Sequence, residues 1–304
     1  MQTTSQILMI KPAHFGFNIE TAQSNAFQNK PDESDEMIHQ KALQEFEAFA
    51  EALIAKGIEV YIFEDTSHPI KPDAIFPNNW ISFHADGSLI LYPMYAPNRR
   101  LERSLDIIES LGQTFQINRI IDLTDYETQN RFLEGTGSIV FDHVHQLAYA
   151  CLSPRTDKDL FLKLCEQLNY RPVWFSAEDE QGQEIYHTNV MMCIGEGFAV
   201  ICLDSIPDEQ ERTMLSNTLS NSGQQIIEIT LDQMKHFAGN MLCLNNRQGE
   251  NFLVLSATAY NCLSQQQKRE LSLYAELLPL NISTIEKIGG GGARCMIAEL
   301  FLFK

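Results

Sequence analysis

No apolar run in the 304-residue sequence approaches the roughly 20 residues of a membrane span. The apolar part of the first segment, MQTTSQILMIKP, is about four residues, well short of the 7–15 of a signal peptide. Positive charge is scarce: 22 Lys plus Arg face 40 Asp plus Glu, for a formal net charge of -18. A surface of that sign repels polyanions, which argues against nucleic acid and against a membrane surface as partners and favours simple solubility. The seven cysteines lack CxxC pairs and finger-like spacing with histidine, so neither a disulfide framework nor a zinc site is suggested. Linkers and low-complexity stretches are missing too. These absences predict a globular protein of a reducing, cytoplasmic compartment, with most thiols acting as small buried hydrophobes.

What is present is a recurring pattern. Short apolar runs at 6–10, 58–63, 80–83, 89–92, 146–151, 173–175, 190–194, 198–203, 226–229, 241–244 and 252–256 predict strands. Helical periodicity covers 35–56, 98–111, 156–168, 207–220 and 264–277, with Gly57 as a stop and Asp157 and Ser264 as N-caps. The acidic run 31–36 reads as a solvated loop before the first helix. Tight turns at His84-Ala85-Asp86-Gly87 and Gly195-Glu196-Gly197 imply hairpins, so the sheets are partly antiparallel. Helices begin about every 50–60 residues, the span of a repeated module. One α/β domain over 1–304, made of about five similar modules, is expected.

Three segments set reactive groups among these runs. LEGTGSIVFD holds Glu134, IYHTNVMMCIG holds His187 and Asn189, and IGGGGARCM holds Cys295 behind Gly289 to Gly292. A thiol nucleophile needs a partner to deprotonate it, usually a histidine, which a carboxylate can orient. Taken singly, Cys295 could be core, His187 a structural imidazole and Glu134 a turn residue. The residues alone leave a Cys-His-Glu hydrolase as one possibility among several. A phosphate-binding loop at the glycines fails for want of a following Lys-Ser/Thr pair and a strand-to-helix context.

Taken together and in order, FPNNW (76–80), LEGTGS (133–138), LSPRT (152–156), HTNV (187–190) and GGGGARCM (289–296) resemble the guanidino-group modifying enzymes of the pentein superfamily. The likeness is closest to the amidinotransferase-like citrulline-utilisation hydrolases. It implies a five-bladed α/β propeller of ββαβ modules about a pseudo-fivefold axis, working on a small amino-acid substrate with no cofactor and no metal. Carried across, Cys295 is the nucleophile, His187 the general acid and base, and Glu134 the carboxylate that holds substrate nitrogens. Arg155 is the grip on the substrate α-carboxylate, with Arg99 or Arg100 as a second contact, Arg100 being the preferred one. Asn18 and Asn78 are further candidates for the pocket wall. The glycines would let the main chain pass close to the axis and present Cys295, while Arg294 either lowers the thiol pKa or points away.

One departure bears on the substrate. Arginine-cleaving relatives carry carboxylates where this chain has Asn79 and Asn189. Ionised carboxylates only accept hydrogen bonds, whereas an amide both donates and accepts and so matches a neutral ureido group. The expected reaction is citrulline to ornithine, ammonia and carbon dioxide. An arginine deiminase or dihydrolase and an amidinotransferase are the alternatives within the class; a catalytically inactive binding pentein is the alternative outside it. A homo-oligomer is allowed, and nothing in the residues sets its size.

Overall fold

Runs such as LAYAC and FAVI are apolar on both faces, so they are stable only between covered surfaces. In the computed structural model, which describes residues 1–22, 25, 27–30 and 33–304, they become middle strands of sheets. The strands are β1 (Gln6–Lys11), β2 (Glu59–Glu64), β3 (Ile81–Phe83), β4 (Ser88–Leu91), β5 (Arg119–Asp122), β6 (Val140–Asp142), β7 (Leu147–Cys151) and β8 (Arg171–Phe175). They continue with β9 (Met192–Ile194), β10 (Phe198–Ile201), β11 (Gln225–Glu228), β12 (Leu242–Asn245), β13 (Asn251–Ser256), β14 (Glu276–Leu280) and β15 (Ala298–Glu299).

Among the described residues these make five three-stranded sheets, ordered β15-β1-β2, β3-β4-β5, β6-β7-β8, β9-β10-β11 and β12-β13-β14. In every sheet the middle strand is antiparallel to the first strand and parallel to the third. A parallel return needs a crossover. Helices Asp35–Ala55, Leu105–Gly112, Lys158–Leu168 and Glu209–Asn221 supply it for four sheets, and the pair Ala257–Cys262 and Gln265–Leu271 for the last. This is the ββαβ module of a five-bladed α/β propeller. In the first sheet the antiparallel strand, β15, comes from the far end of the chain and pairs Glu299 with Ile7. Among the described residues no ladder joins one sheet to the next. The first strands touch, β15 with β3, β6 with β9 and β9 with β12.

Local chemistry sets the boundaries. Gly57 at φ +80° ends the first helix, and Gly87 and Gly197 take φ of +81° and +85° in the two hairpin turns. Asp157 caps its helix by accepting from the Leu160 N–H, and Ser264 forms a capping box with Gln267. Of the acidic run, residues 31 and 32 lie outside the described residues; Ser34 is an N-cap, and Asp35 and Glu36 occupy the helix's first turn. The expected helix at 98–111 is split into a 3-10 turn, Pro97–Glu102, and Leu105–Gly112, because Ser104 starts a new helix by accepting from the Ile107 N–H. The pattern at 264–277 stops at Leu271, and Glu276–Leu280 is strand β14. Strands β5, β6, β14 and β15 were not expected: β6 and β15 are only 3 and 2 residues long, β5 (RIID) is a largely exposed outer strand, and the helical pattern expected at 264–277 runs into β14 (ELLPL).

Each crossover helix seals its sheet with one apolar stripe. Phe161, Leu164 and Leu168 of Lys158–Leu168 are buried in a cluster with Ala148, Ala150 and Tyr92. Phe161 is fully buried, so Phe161→Ala is expected to lower unfolding free energy by about 3–5 kcal/mol in urea titration, whereas the exposed Leu273→Ala changes it by less than about 0.5.

Candidate active site

The propeller brings together residues from one equivalent place in each module. Asn79, Glu134, His187, Asn240 and Cys295 all lie in the short segment that leads into the first strand of a sheet, respectively β3, β6, β9, β12 and β15. Most of these segments are single helical turns, Pro77–Asn79, Gly135–Ser138, Thr188–Met191 and Ala293–Met296, and they pack on one another at the centre. Arg99 and Arg155 come from a second equivalent place, after the middle strands β4 and β7.

A small cavity of about 20 Å³ lies where they converge, lined by Asp73, Asn79, Arg99, Arg155, His187 and Cys295, with Phe76, Tyr186 and Gly289 to Gly291 completing much of its wall. That volume holds about one water. Arg155 and Tyr186 also face a neighbouring cavity of about 1010 Å³, the approach from outside.

Glu134 sits behind this wall rather than on it, fully buried. The contacts it makes here are with protein groups: Tyr95, His187 and Arg155. Its Oε1 accepts from the Tyr95 N–H at 2.9 Å, and its Oε2 lies 2.7 Å from His187 Nε2 and 3.4 Å from Arg155 Nη1. Burial alone would raise the carboxyl pKa, but the Arg155 charge and the His187 hydrogen bond together hold it well below the usual carboxylate range. Burial pulls the His187 imidazole down to about 4 against the opposing pull of Glu134. The empty site therefore holds a carboxylate and a neutral imidazole. A carboxylate only accepts, so Nε2 carries the ring proton and Nδ1 is the basic nitrogen. Gly137 leaves room for it: a Cβ there would come within 2.8 Å of Nδ1.

Cys295 takes hydrogen bonds from the side-chain N–H groups of Asn240 at 3.4 Å and Asn189 at 3.5 Å. Asn189 thus lies against the thiol and not on the cavity wall. Burial pushes the thiol above its ordinary value; the Asn240 bond, the Arg294 charge and the Asn189 bond oppose this without cancelling it. The Arg294 guanidinium itself turns away, donating to Ile297 O and to Glu299 Oε2, each at 2.8 Å. The glycines before it are forced by contact: a Cβ on Gly289 or Gly291 would stand 2.9 or 2.8 Å from the Phe76 ring, and Gly290 has φ +66°.

Of the arginines, Arg155 stacks over Tyr186 at 4.9 Å and faces the cavity. Arg100 does not reach it: its guanidinium donates to Met94 O and Tyr95 O and lies 3.5 Å from Glu127. Alternate residues of the turn Pro97–Glu102 face different ways, and Arg99 is the one turned inward, its fork taken up by Glu102. Asn18 stands behind Asp73, donating to its Oδ2 at 2.7 Å, and Asn78 is buried outside the cavity lining. Asp73, Asn240 and Tyr186 were not singled out from the sequence. Asn240 had one cue, the preceding Gly239, where a Cβ would lie 2.2 Å from Val190 O. Among the described residues, no group of three or more His, Cys, Asp or Glu could hold a metal, and no helix is long and apolar enough to cross a membrane.

A thiol with a raised pKa reacts slowly with electrophiles near neutrality. Alkylation of Cys295 by iodoacetamide, read by mass spectrometry, is expected to keep accelerating above pH 9, the ordinary thiol value. Asn240→Ala removes a donor to the sulfur and is expected to slow alkylation at pH 8 by about tenfold.

Comparison with known proteins agrees with this architecture. A family model described as "N,N dimethylarginine dimethylhydrolase, eukaryotic" matches residues 11–302. No curated protein matches by sequence. The solved structure of ArgZ, an arginine dihydrolase from the ornithine-ammonia cycle in cyanobacteria, is 17% identical with a TM-score of 0.75, covering 97% of this chain and 40% of that one. The chain thus spans less than half of full-length ArgZ, but 97% of its N-terminal domain, which superposes with a TM-score of 0.74. A dimethylarginine dimethylaminohydrolase solved as an adduct with S-methyl-L-thiocitrulline is 16% identical, with a TM-score of 0.67 and coverage of 99% and 100%. With nearly its whole length matched by the family model, the chain belongs to the N,N-dimethylarginine dimethylhydrolase family, within the pentein superfamily of guanidino-group modifying enzymes.

Proposed function

We propose that the chain hydrolyses a ureido amino acid, citrulline, to ornithine, ammonia and carbon dioxide, with Cys295, His187 and Glu134 as its catalytic group. The observation that carries this reading is the direction of the Asn79 amide. Arg99 Nη1 can only donate, so the Asn79 atom 2.7 Å from it is the oxygen. The NH2 end then points the other way, over Gly137 and beside the His187 ring. A donor there matches the carbonyl oxygen of a ureido group. A guanidinium would set N–H against N–H, at a cost of about 1–3 kcal/mol for groups buried without a partner.

In the proposed reaction the Cys295 sulfur attacks the planar ureido carbon while His187 Nδ1 takes the thiol proton. Glu134 stabilises the imidazolium so formed, and the side-chain N–H groups of Asn240 and Asn189 stabilise the developing thiolate. His187 returns the proton to the departing nitrogen, leaving an acyl group on sulfur. A water, deprotonated by His187, then attacks that carbon and expels the thiolate, and loss of carbon dioxide from the carbamate completes the reaction. Arg155 is placed to meet the α-carboxylate at the cavity mouth. The same proposal takes residues 1–304 as one working unit, with a small amino acid as its partner. The seven free thiols support a reducing, cytoplasmic location.

One observation favours arginine instead. Asp73 lines the cavity, and its buried Oδ1 has no hydrogen-bond partner among the described residues, an acceptor that a guanidinium or an ammonium would satisfy. ArgZ is named an arginine dihydrolase. Incubation of the purified protein with citrulline or arginine, quantifying ornithine and ammonia, separates the two readings. Citrulline is expected to give a kcat/KM at least about tenfold higher; faster turnover of arginine would overturn the ureido assignment. Cys295→Ser is expected to abolish turnover of both while the circular dichroism spectrum is unchanged.

A further inference from the structure

An asparagine amide has two ends of almost equal size, and rotation about one bond exchanges them. Nothing in Asn79 itself decides which end faces the reacting group. The decision comes from behind. Arg99 is buried, and Glu102, also buried, grips it through two hydrogen bonds, Nε to Oε1 at 2.8 Å and Nη2 to Oε2 at 2.9 Å. Nη2 also donates to Phe76 O at 3.3 Å. With one edge of the fork fixed in this way, Nη1 is left aimed at Asn79. A flipped amide would present N–H to N–H, so only one orientation is bonded.

Resting on the ureido reading above, we propose that Arg99, braced by Glu102, is the positioning residue that holds the NH2 end of Asn79 toward the reacting group and so sets the preference for a ureido over a guanidino substrate. The pair comes from neighbouring turns. Asn79 ends the 3-10 turn Pro77–Asn79, and Arg99 and Glu102 lie three residues apart in the 3-10 turn Pro97–Glu102, where that spacing places side chains on one face. The fork that could have gripped a substrate carboxylate is already committed to Glu102, which separates this role from the one expected of Arg155. In effect the selectivity of the site is read from a residue that the sequence places 20 positions away from the amide it controls.

The test is a set of substrate ratios. In Arg99→Met/Glu102→Met both members of the bidentate pair leave together, while Asp73, 3.7 Å from Arg99 Nε, keeps its hydrogen bond from Asn18. The amide is then free to turn, and the ratio of kcat/KM for citrulline to that for arginine is expected to fall by about tenfold. Equal loss for both substrates is the result of a merely structural or carboxylate-binding role, and it would overturn the proposal. Glu102→Gln, which keeps Arg99 but loosens its grip, is expected to lower the ratio by about threefold; it decides the matter if circular dichroism shows the double variant unfolded. On an Asn79→Asp background, where both ends of the side chain are alike, Glu102→Gln is expected to leave the ratio unmoved. A shift of the same size on both backgrounds would show that Glu102 acts by another route. The wild-type ratio keeps the two layers apart: preference for arginine rejects the ureido reading, whereas preference for citrulline with invariant ratios rejects only the role of Arg99 and Glu102.

Discussion

A carboxylate withdrawn completely from water must be compensated from every side, and Glu134 imposes that demand at the candidate site. An ion of this kind costs several kcal/mol to bury unless charges and hydrogen bonds replace its hydration. The main-chain N–H of Tyr95, the imidazole of His187 and the guanidinium of Arg155 make that replacement. Each is fixed in the process. His187 receives its tautomer, Arg155 is anchored at the boundary between the inner cavity and the outer one, and the Pro93–Tyr95 segment is tied to the LEGTGS turn. The chemistry proposed for the site follows from a charge placed behind the cavity wall.

Around that charge the fold works by repetition. Five entries into five first strands deliver five side chains to one volume, although they are dispersed through more than two hundred positions of the chain. Such convergence explains why the motifs look unremarkable singly and informative together. It also explains the short turns: a residue held on a single helical turn at a strand mouth has few rotamers open to it, and hydrogen bonds from neighbouring modules select among them.

The modular plan was legible because the middle strands and crossover helices carry strong apolar patterns and well-formed caps, as at Asp157 and Ser264. Strands β6 and β15 were not, since 3 and 2 residues are too few to show a period, and β5 and β14 were lost because their short apolar stretches follow directly on loop and helical patterns. In the site, the motifs drew attention to Glu134, His187 and Cys295, and the coordinates set His187 and Cys295 on one cavity with Glu134 a hydrogen bond behind. Direction was the illegible part. A sequence cannot say that Arg100 turns outward while Arg99 turns inward, that the Asn189 amide meets the Cys295 sulfur, or that Asp73 and Asn240 join from segments without a motif.

The pairing of β15 with β1 has a consequence for how the protein comes into being. Cys295 lies only three positions before β15, and that strand finds its partner at Ile7 and Leu8, almost a whole chain length away. Contacts of such long separation close late, after loop entropy has been overcome elsewhere. The position of the Cys295 sulfur therefore depends on a pairing between segments almost 300 positions apart, whereas His187 and Glu134 are held by strands nearer to them in the sequence.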